Sequence, residues 1–321
     1  MSESTLKLVV TDQAFGNTRH EKAAADAAGA SFSEHQCSTE DETIEVVRDA
    51  HAVLNNFAPM TRRVMQAMAS GAVIVRYGVG VDNVDLAAAK ALGVHVCNVP
   101  DYGVEEVADH AAAMTLALSR KLDHFCSAIH RGEWKITQMV DGLRSLRATT
   151  VGLIGLGRIA RAYAARMRTF GCRVVGFDPY VPDEQARAAG IEPMDRDDVI
   201  AVANVLSLHV PLTPETRHLI DATAIAHMPK GAILINCSRG GLVDETALSE
   251  ALLAGHLSGA GLDVFEKEPL PESSPLRGAP HLILSPHAAF FSDVSVEKLQ
   301  QLASEEALRG LRGEPLRCPL T

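Results

Sequence analysis

The chain has 321 residues, of which 47% are hydrophobic, and its formal net charge at pH 7 is −10. This length exceeds one ordinary hydrophobic core and predicts two domains of roughly 150 residues each. The acidic balance argues against a nucleic acid or an anionic membrane as partner. No uncharged apolar segment is long enough for a transmembrane helix, and the first residues lack the pattern of a signal peptide.

The cysteines show no metal-binding or disulfide pattern. Six are scattered along the chain without a C-x-x-C pair, which is typical of reduced thiols in an intracellular protein. We therefore expect a cytoplasmic protein without a bound metal.

The first hundred residues alternate between short apolar strands and helices. The pattern predicts strands at 6–10, 52–57, 72–76 and 94–99, and helices at 20–30, 61–70 and 86–92. Such alternation at short spacing predicts a parallel sheet with helices on both faces. Pro100 ends this run, and we expect a first hinge there.

The next segment is rich in Ala and Leu and predicts one long helix over 105–129. Residues 131–146 follow with weak periodicity and carry Trp134, which is the only tryptophan of the chain. We interpret this stretch as an exposed arm.

Residues 149–178 have the order strand, glycine turn, helix, strand, acid. Gly155 allows a tight turn, and Gly157, which lacks a Cβ, lets the backbone approach a pyrophosphate. The following helix offers free N–H groups and its positive dipole end to the phosphates. Asp178 stands where a carboxylate accepts hydrogen bonds from ribose hydroxyls and repels a 2′-phosphate. The order predicts a dinucleotide site that prefers NAD to NADP, with a methyltransferase site as the alternative.

Further strands are predicted at 205–209, 232–237, 259–264 and 282–285, before a final helix at 292–311. Ligands of open α/β sheets bind beyond the carboxyl ends of the strands. Arg239, Glu268 and His287 each follow one of these strands, so we expect them at one edge of one sheet.

Several motifs, taken in order, resemble the D-isomer-specific 2-hydroxyacid dehydrogenases, most closely their C-terminal binding protein branch. They are RYGVGVDNVD (76–85), CNVPDYGVEEVADH (97–110), the glycine turn, LHVPLTPETRHLI (208–220), INCSRGGLVDE (235–245), GLDVFEKEPL (261–270) and SPHAAFFS (285–292). The resemblance implies an α/β fold with two doubly wound parallel-sheet domains. A Rossmann NAD-binding domain (101–290) is then inserted into a flavodoxin-like substrate domain (1–100 and 291–321).

The resemblance also implies roles for single residues. His287 matches the proton donor of the family, Glu268 the carboxylate that orients it, and Arg239 the residue that binds the substrate and also contacts the cofactor. A histidine suits proton transfer near neutral pH. Val79 and Gly80 match the loop whose N–H groups hold the substrate carboxylate.

The other implied cofactor contacts lie beyond the strands of the second domain. They are Gly155, Gly157, Arg158, Ile159, Asp178, His209, Pro211, Thr216, Cys237, Asp263 and His287.

Three of the candidate residues keep two interpretations. Asp263 either contacts the nicotinamide amide or is a strand-end acid, and His209 either packs or lines the cofactor cleft. Arg76 either contacts the substrate or forms a surface ion pair. By contrast, His110 is interpreted as structural, and Cys237 has no base that would make it a nucleophile.

These observations predict an NAD-dependent D-2-hydroxyacid dehydrogenase, an enzyme that acts on a small 2-oxo acid. The alternatives are 3-phosphoglycerate dehydrogenase activity and an NAD(H)-sensing interaction protein like the C-terminal binding proteins. Phe290 stands where that branch has tryptophan, and an apolar wall there favours a substrate with an uncharged side chain. The resemblance further implies a homodimer, to which the arm 131–146 contributes.

Overall fold

The structure is a computed structural model that describes residues 6–134 and 143–321. The strands, in chain order, are β1 (Lys7–Val10), β2 (Ser31–Glu34), β3 (Ala52–Asn55), β4 (Val73–Arg76), β5 (His95–Cys97), β6 (Thr150–Ile154), β7 (Arg173–Phe177), β8 (Glu192–Pro193), β9 (Val205–Leu208), β10 (Ala232–Asn236), β11 (Leu257–Leu262) and β12 (Leu282–Leu284). The α-helices are α1 (Arg19–Ala28), α2 (Glu40–Val46), α3 (Arg62–Gln66), α4 (Leu86–Leu92), α5 (Val104–Ser119), α6 (Leu122–His130), α7 (Arg158–Thr169), α8 (Asp183–Ala188), α9 (Arg196–Val202), α10 (Ala222–His227), α11 (Glu245–Leu253) and α12 (Asp293–Leu311).

The chain divides into two compact units. Unit 1 comprises Met1–Gly103 and Phe291–Thr321, and unit 2 comprises Val104–Phe290. None of the described helices combines the length and apolar character that a membrane span requires.

Unit 1 holds a five-stranded parallel sheet in the order β2-β1-β3-β4-β5. This is the flavodoxin-like order, as the family resemblance implies. The central strands β3 and β4 read AVLN and VIVR and are buried along their whole length. Continuous apolar strands of this kind are typical of a parallel sheet that is covered on both faces.

Unit 2 holds a seven-stranded parallel sheet in the order β12-β11-β10-β9-β6-β7-β8. From β6 the chain adds strands in one direction across the sheet as far as β8, and it then returns to add β9 on the other side of β6, as in a Rossmann fold. Ligands of such sheets bind at this switch point, beyond the carboxyl ends of the strands. The doubly wound, all-parallel fold class predicted from the sequence is therefore confirmed.

Side-chain caps fix the ends of several helices. Asp85 accepts a 2.8 Å hydrogen bond from the N–H of Ala88 and begins α4, which ends at Gly93 with a left-handed φ of 67°. Ser292 similarly accepts from the N–H of Ser295 and begins α12. Such caps satisfy N–H groups that the first turn of a helix leaves without partners.

The prediction of a single long helix over 105–129 is wrong. The structure has two helices, because Lys121 takes a left-handed φ of 49° between α5 and α6. The composition on both sides of Lys121 favours a helix, so the pattern gives no sign of the break. Of the predicted arm 131–146, residues 135–142 lie outside the described residues.

Candidate active site

The glycine turn joins β6 to α7 at the switch point of unit 2. Gly155 has a φ of +91°, and a Cβ there would stand 2.5 Å from the carbonyl oxygen of His209. The fold itself therefore requires glycine at Gly155. At Gly157, which precedes Arg158 and Ile159 at the start of α7, a Cβ would meet no atom within 4 Å. Gly157 thus borders open space at the helix N-terminus, where the N–H groups favour an anion.

Asp178 comes directly after β7 and holds this turn. Its Oδ2 accepts a 2.8 Å hydrogen bond from the N–H of Leu156, and its Oδ1 accepts a 2.9 Å bond from the N–H of Tyr180. Each oxygen keeps a further lone pair. The carboxylate can therefore accept from ribose hydroxyls while it anchors the turn.

The loop after β9 carries three more candidate residues. The Oγ1 of Thr216 donates to the carbonyl of Pro211 at 2.7 Å, which closes this loop. His209 contacts the hydroxyl of Ser207 through Nε2 at 2.9 Å, and its ring centroid lies 5.5 Å from that of Tyr163. Burial lowers the pKa of His209 to about 4. The side chain is therefore neutral near pH 7, and it is half-buried in unit 2.

Cys237 follows β10. Burial, together with the nearby charge of Asp263, raises the pKa of this thiol well above its ordinary value. Because the thiolate is the nucleophilic form, the side chain is inert at neutral pH. This agrees with the interpretation that excludes a cysteine nucleophile.

His287 and Glu268 form a direct pair. Nδ1 of His287 lies 2.7 Å from Oε2 of Glu268, and the other oxygen, Oε1, accepts a 3.0 Å hydrogen bond from the N–H of Phe265. Burial raises the pKa of the Glu268 carboxyl, but the hydrogen bond and charge of His287 and the bond from Phe265 outweigh it and hold the pKa below its ordinary value. Glu268 is therefore an ionised partner for the imidazole at neutral pH.

Arg239 follows β10 and lies beyond the same carboxyl-terminal edge of the sheet as this pair. Its Nη1 donates to the carbonyl of Ser238 at 2.7 Å, and Asn236 donates to the carbonyl of Arg239 at 2.8 Å. The charge of Arg239 also contributes to the low pKa of Glu268. A Cβ at Gly240 would stand 1.8 Å from the carbonyl carbon of Phe265, so the two loops approach as closely as backbone allows.

Asp263 is tied to the segment that carries His287. Its side chain is 1% exposed and accepts from the hydroxyl of Ser285 at 2.5 Å and from the N–H groups of Ala288 at 2.8 Å and Ala289 at 2.9 Å. The geometry therefore gives this strand-end acid a structural task. Sequence reasoning did not single out Ser285, although it lies two residues before the histidine.

The candidate substrate residues of unit 1 follow β4. Arg76 is only 8% exposed. Its Nη1 donates to the carbonyl of Tyr77 at 2.7 Å, and its guanidinium carbon lies 5.6 Å from the ring centroid of Phe57. Val79 is exposed, and its carbonyl accepts a 2.7 Å hydrogen bond from Asn98. Gly80 follows it in the same loop.

Sequence reasoning missed a buried acid of unit 1. Asp12 comes two residues after β1 and is 2% exposed. It accepts from the N–H of Asn56 at 3.0 Å and from the N–H of Phe57 at 2.6 Å. The backbone that carries the exposed Phe57 ring is therefore held by a carboxylate that follows the neighbouring strand β1. An acid directly beyond an apolar strand was the available signal.

Comparisons with known proteins show the family to which the chain belongs. Residues 112–289 match the family model described as D-isomer specific 2-hydroxyacid dehydrogenase, NAD binding domain. The D-3-phosphoglycerate dehydrogenase of Methanocaldococcus jannaschii is 39% identical over 278 residues, which are 86% of this chain and 52% of that protein. The chain belongs to the D-isomer-specific 2-hydroxyacid dehydrogenase family. It spans about half the length of the curated relatives that it matches.

Solved structures of family members share the fold over nearly the whole chain. A glyoxylate reductase from Paecilomyes thermophila is 26% identical with a TM-score of 0.88, and covers 99% of this chain and 98% of its own. A D-lactate dehydrogenase from Aquifex aeolicus, in complex with NAD and lactic acid, is 26% identical with a TM-score of 0.86 over 96% of each chain.

The family match makes NAD the cofactor, and the residues present fit it. The helix N-terminus, the open space beside Gly157 and the free lone pairs of Asp178 are the three features that pyrophosphate and ribose require. Among the described residues, no cluster of three or more His, Cys, Asp or Glu side chains is arranged to hold a metal ion.

Proposed function

We propose that the protein is an NAD-dependent oxidoreductase that reduces a small 2-oxo acid and oxidises the corresponding D-2-hydroxy acid. The observation that carries the proposal is the 2.7 Å contact between Nδ1 of His287 and Oε2 of Glu268, with Arg239 close enough to lower the pKa of that carboxyl. All three residues belong to the unit that contains the NAD-binding turn.

The chemistry assigns a task to each side chain. When bound, NADH would supply the hydride that the carbonyl carbon accepts. His287 donates a proton to the carbonyl oxygen, and Glu268 stabilises the imidazolium that precedes this step. Arg239 binds the substrate carboxylate with its fork of N–H donors and polarises the carbonyl.

We further propose that unit 2 is the NAD-binding domain and unit 1 the substrate domain. In unit 1, the N–H groups of Val79 and Gly80 bind the carboxylate end of the substrate, and Arg76 supports them. Asp263 and the remaining candidate cofactor residues keep the contacts that the family resemblance implies. We also propose a cytoplasmic homodimer.

One of the two alternatives has specific support. The M. jannaschii relative is named D-3-phosphoglycerate dehydrogenase, which favours a phosphorylated substrate. Against this, the ring centroid of Phe290 lies 6.4 Å from that of His287. An apolar wall beside the proton donor disfavours a second anionic group on the substrate, such as a phosphate. An NAD(H)-sensing interaction protein needs the glycine turn but not the paired His287 and Glu268.

The test is NADH oxidation with a panel of 2-oxo acids. We expect turnover with glyoxylate, hydroxypyruvate or a larger aliphatic 2-oxo acid, and a higher kcat/KM for one of these than for 3-phosphohydroxypyruvate. His287→Asn should lower kcat about 10²-fold or more, while His227→Asn, which changes an exposed histidine of unit 2, should leave it unchanged.

Each other result selects an alternative. If 3-phosphohydroxypyruvate gives the highest kcat/KM, the protein is a 3-phosphoglycerate dehydrogenase. If NADH binds with micromolar affinity and no 2-oxo acid is reduced, the enzyme proposal fails and the sensor takes its place.

A further inference from the structure

The segment that carries His287 adopts an unfavourable backbone conformation. His287 has a φ of 54°, in the left-handed region that residues with a Cβ seldom occupy. Such a conformation persists only where the surrounding structure holds it. The same conformation directs the imidazole to Glu268, so whatever holds it also sets the position of the proposed proton donor.

Asp263 holds this segment from β11. Its backbone carbonyl accepts a 2.8 Å hydrogen bond from the N–H of His287. Its carboxylate accepts from the N–H groups of Ala288 and Ala289, which are the next two residues. The segment is thus bonded to one buried residue on both sides of the His287 side chain.

A second element supports this carboxylate. The hydroxyl of Ser285 donates to Oδ1 of Asp263 at 2.5 Å, and Nε2 of His110, on α5, lies 2.9 Å from the same hydroxyl oxygen. A serine has one hydroxyl hydrogen, which the bond to Asp263 uses. Nε2 of His110 must therefore carry a hydrogen and donate it to Ser285.

We infer that His110, Ser285 and Asp263 form a positioning chain that fixes the left-handed turn at His287 and thereby the imidazole against Glu268. The inference rests on the proposed function, in which His287 is the proton donor. His110 and Ser285 are positioning residues, because they act through Asp263 and the turn.

The kinetic test compares His110→Ala, Ser285→Ala and the conservative His110→Gln. A glutamine amide nitrogen can stand near the position of Nε2 and donate to Ser285. We expect His110→Ala and Ser285→Ala to lower kcat about tenfold, because small displacements of a reacting group are costly, with NADH affinity changed less than twofold. His110→Gln should restore at least half of the wild-type kcat.

A matched control comes from the same unit. Nε2 of His256 lies 2.9 Å from the carbonyl of Ile225, a comparable single bond remote in sequence from the turn. His256→Ala should lower Tm and leave kcat unchanged. A simple structural role for His110 would make its alanine variant behave like His256→Ala.

A measurement without turnover separates this inference from the proposed function. Amide exchange of Ala288 and Ala289 should accelerate about tenfold in His110→Ala and Ser285→Ala, and not in His256→Ala. If wild type reduces no 2-oxo acid, the proposed function fails, and amide exchange alone then tests whether the positioning chain holds the turn. Unchanged exchange in both variants, or a His110→Gln variant no better than His110→Ala, would overturn the inference.

Discussion

In the proposed function, Glu268 and His287 act as one unit in proton transfer, and the charge of the carboxylate sets the pH range of reduction. Reduction needs protonated His287, which the ionised Glu268 at 2.7 Å stabilises. In Glu268→Gln that charge is lost, so the protonated imidazole loses its stabilising partner. We expect the alkaline limb of kcat/KM for reduction to move to lower pH.

The measurement is a pH profile of NADH oxidation for wild type and for Glu268→Gln. Oxidation of the hydroxy acid needs neutral His287 and should show the opposite pH trend. A superimposable profile in the variant would show that the pair does not control proton transfer.

His209 gives a separate prediction about stability. Burial lowers its pKa to about 4, against about 6.5 for an unfolded histidine. Between these values the unfolded chain binds more protons, so this residue's contribution to stability is present above pH 6.5 and is lost as the pH falls towards 4. The Tm of wild type should therefore fall relative to that of His209→Gln over this range, measured without NADH. A pH-independent difference would contradict the burial of a neutral ring.

At the scale of single elements, the turn between β6 and α7 contains two glycines for which we predict different roles. Gly155 is required for folding, and Gly157 for ligand binding. Gly155→Ala places a Cβ 2.5 Å from a backbone oxygen at a φ of +91°, and the strained conformation alone costs about 1–3 kcal/mol. Gly157→Ala meets no atom within 4 Å, and its φ of −68° suits alanine. Its effect on stability should stay within about 1 kcal/mol.

We therefore expect the two substitutions to affect different properties. Gly155→Ala should lower Tm, whereas Gly157→Ala should keep Tm and weaken NADH binding, because its Cβ occupies the approach of the pyrophosphate. Thermal scans and NADH fluorescence titrations measure the two effects. Tight NADH binding by Gly157→Ala would place the pyrophosphate elsewhere.

At the scale of the whole molecule, exposed apolar side chains on and after α6 favour self-association. Leu122 is 56% exposed, Ile129 51% and Trp134 82%. We expect light scattering at micromolar concentration to give a particle of twice the 34.3 kDa chain mass. Ile129→Arg should shift it to the monomer mass. Leu253→Arg, at an apolar residue that is 66% exposed on α11, should not. A monomeric wild type would contradict the prediction.

The sequence by itself determined the fold class and the placement of the candidate site residues beyond the carboxyl ends of the strands. Apolar strands such as β3 and β10 are buried on both faces, so they stand out as continuous apolar runs. The glycine turn is equally local, because the φ of Gly155 and the missing Cβ of Gly157 are properties of single residues. Arg239, Glu268 and His287 could be placed at one edge because the carboxyl ends of parallel strands meet there.

Only the tertiary structure decided the rest. The edge strands β2 and β8 read SFSE and EP and lie partly exposed, so they lack the apolar run that marks a buried strand. The left-handed Lys121 that divides α5 from α6 has no local signal. The partners of Asp263 lie 22 to 26 residues away in sequence, and its burial follows from packing. Periodicity reports which face of an element is apolar, whereas the contacts between distant residues exist only after the sheet has formed.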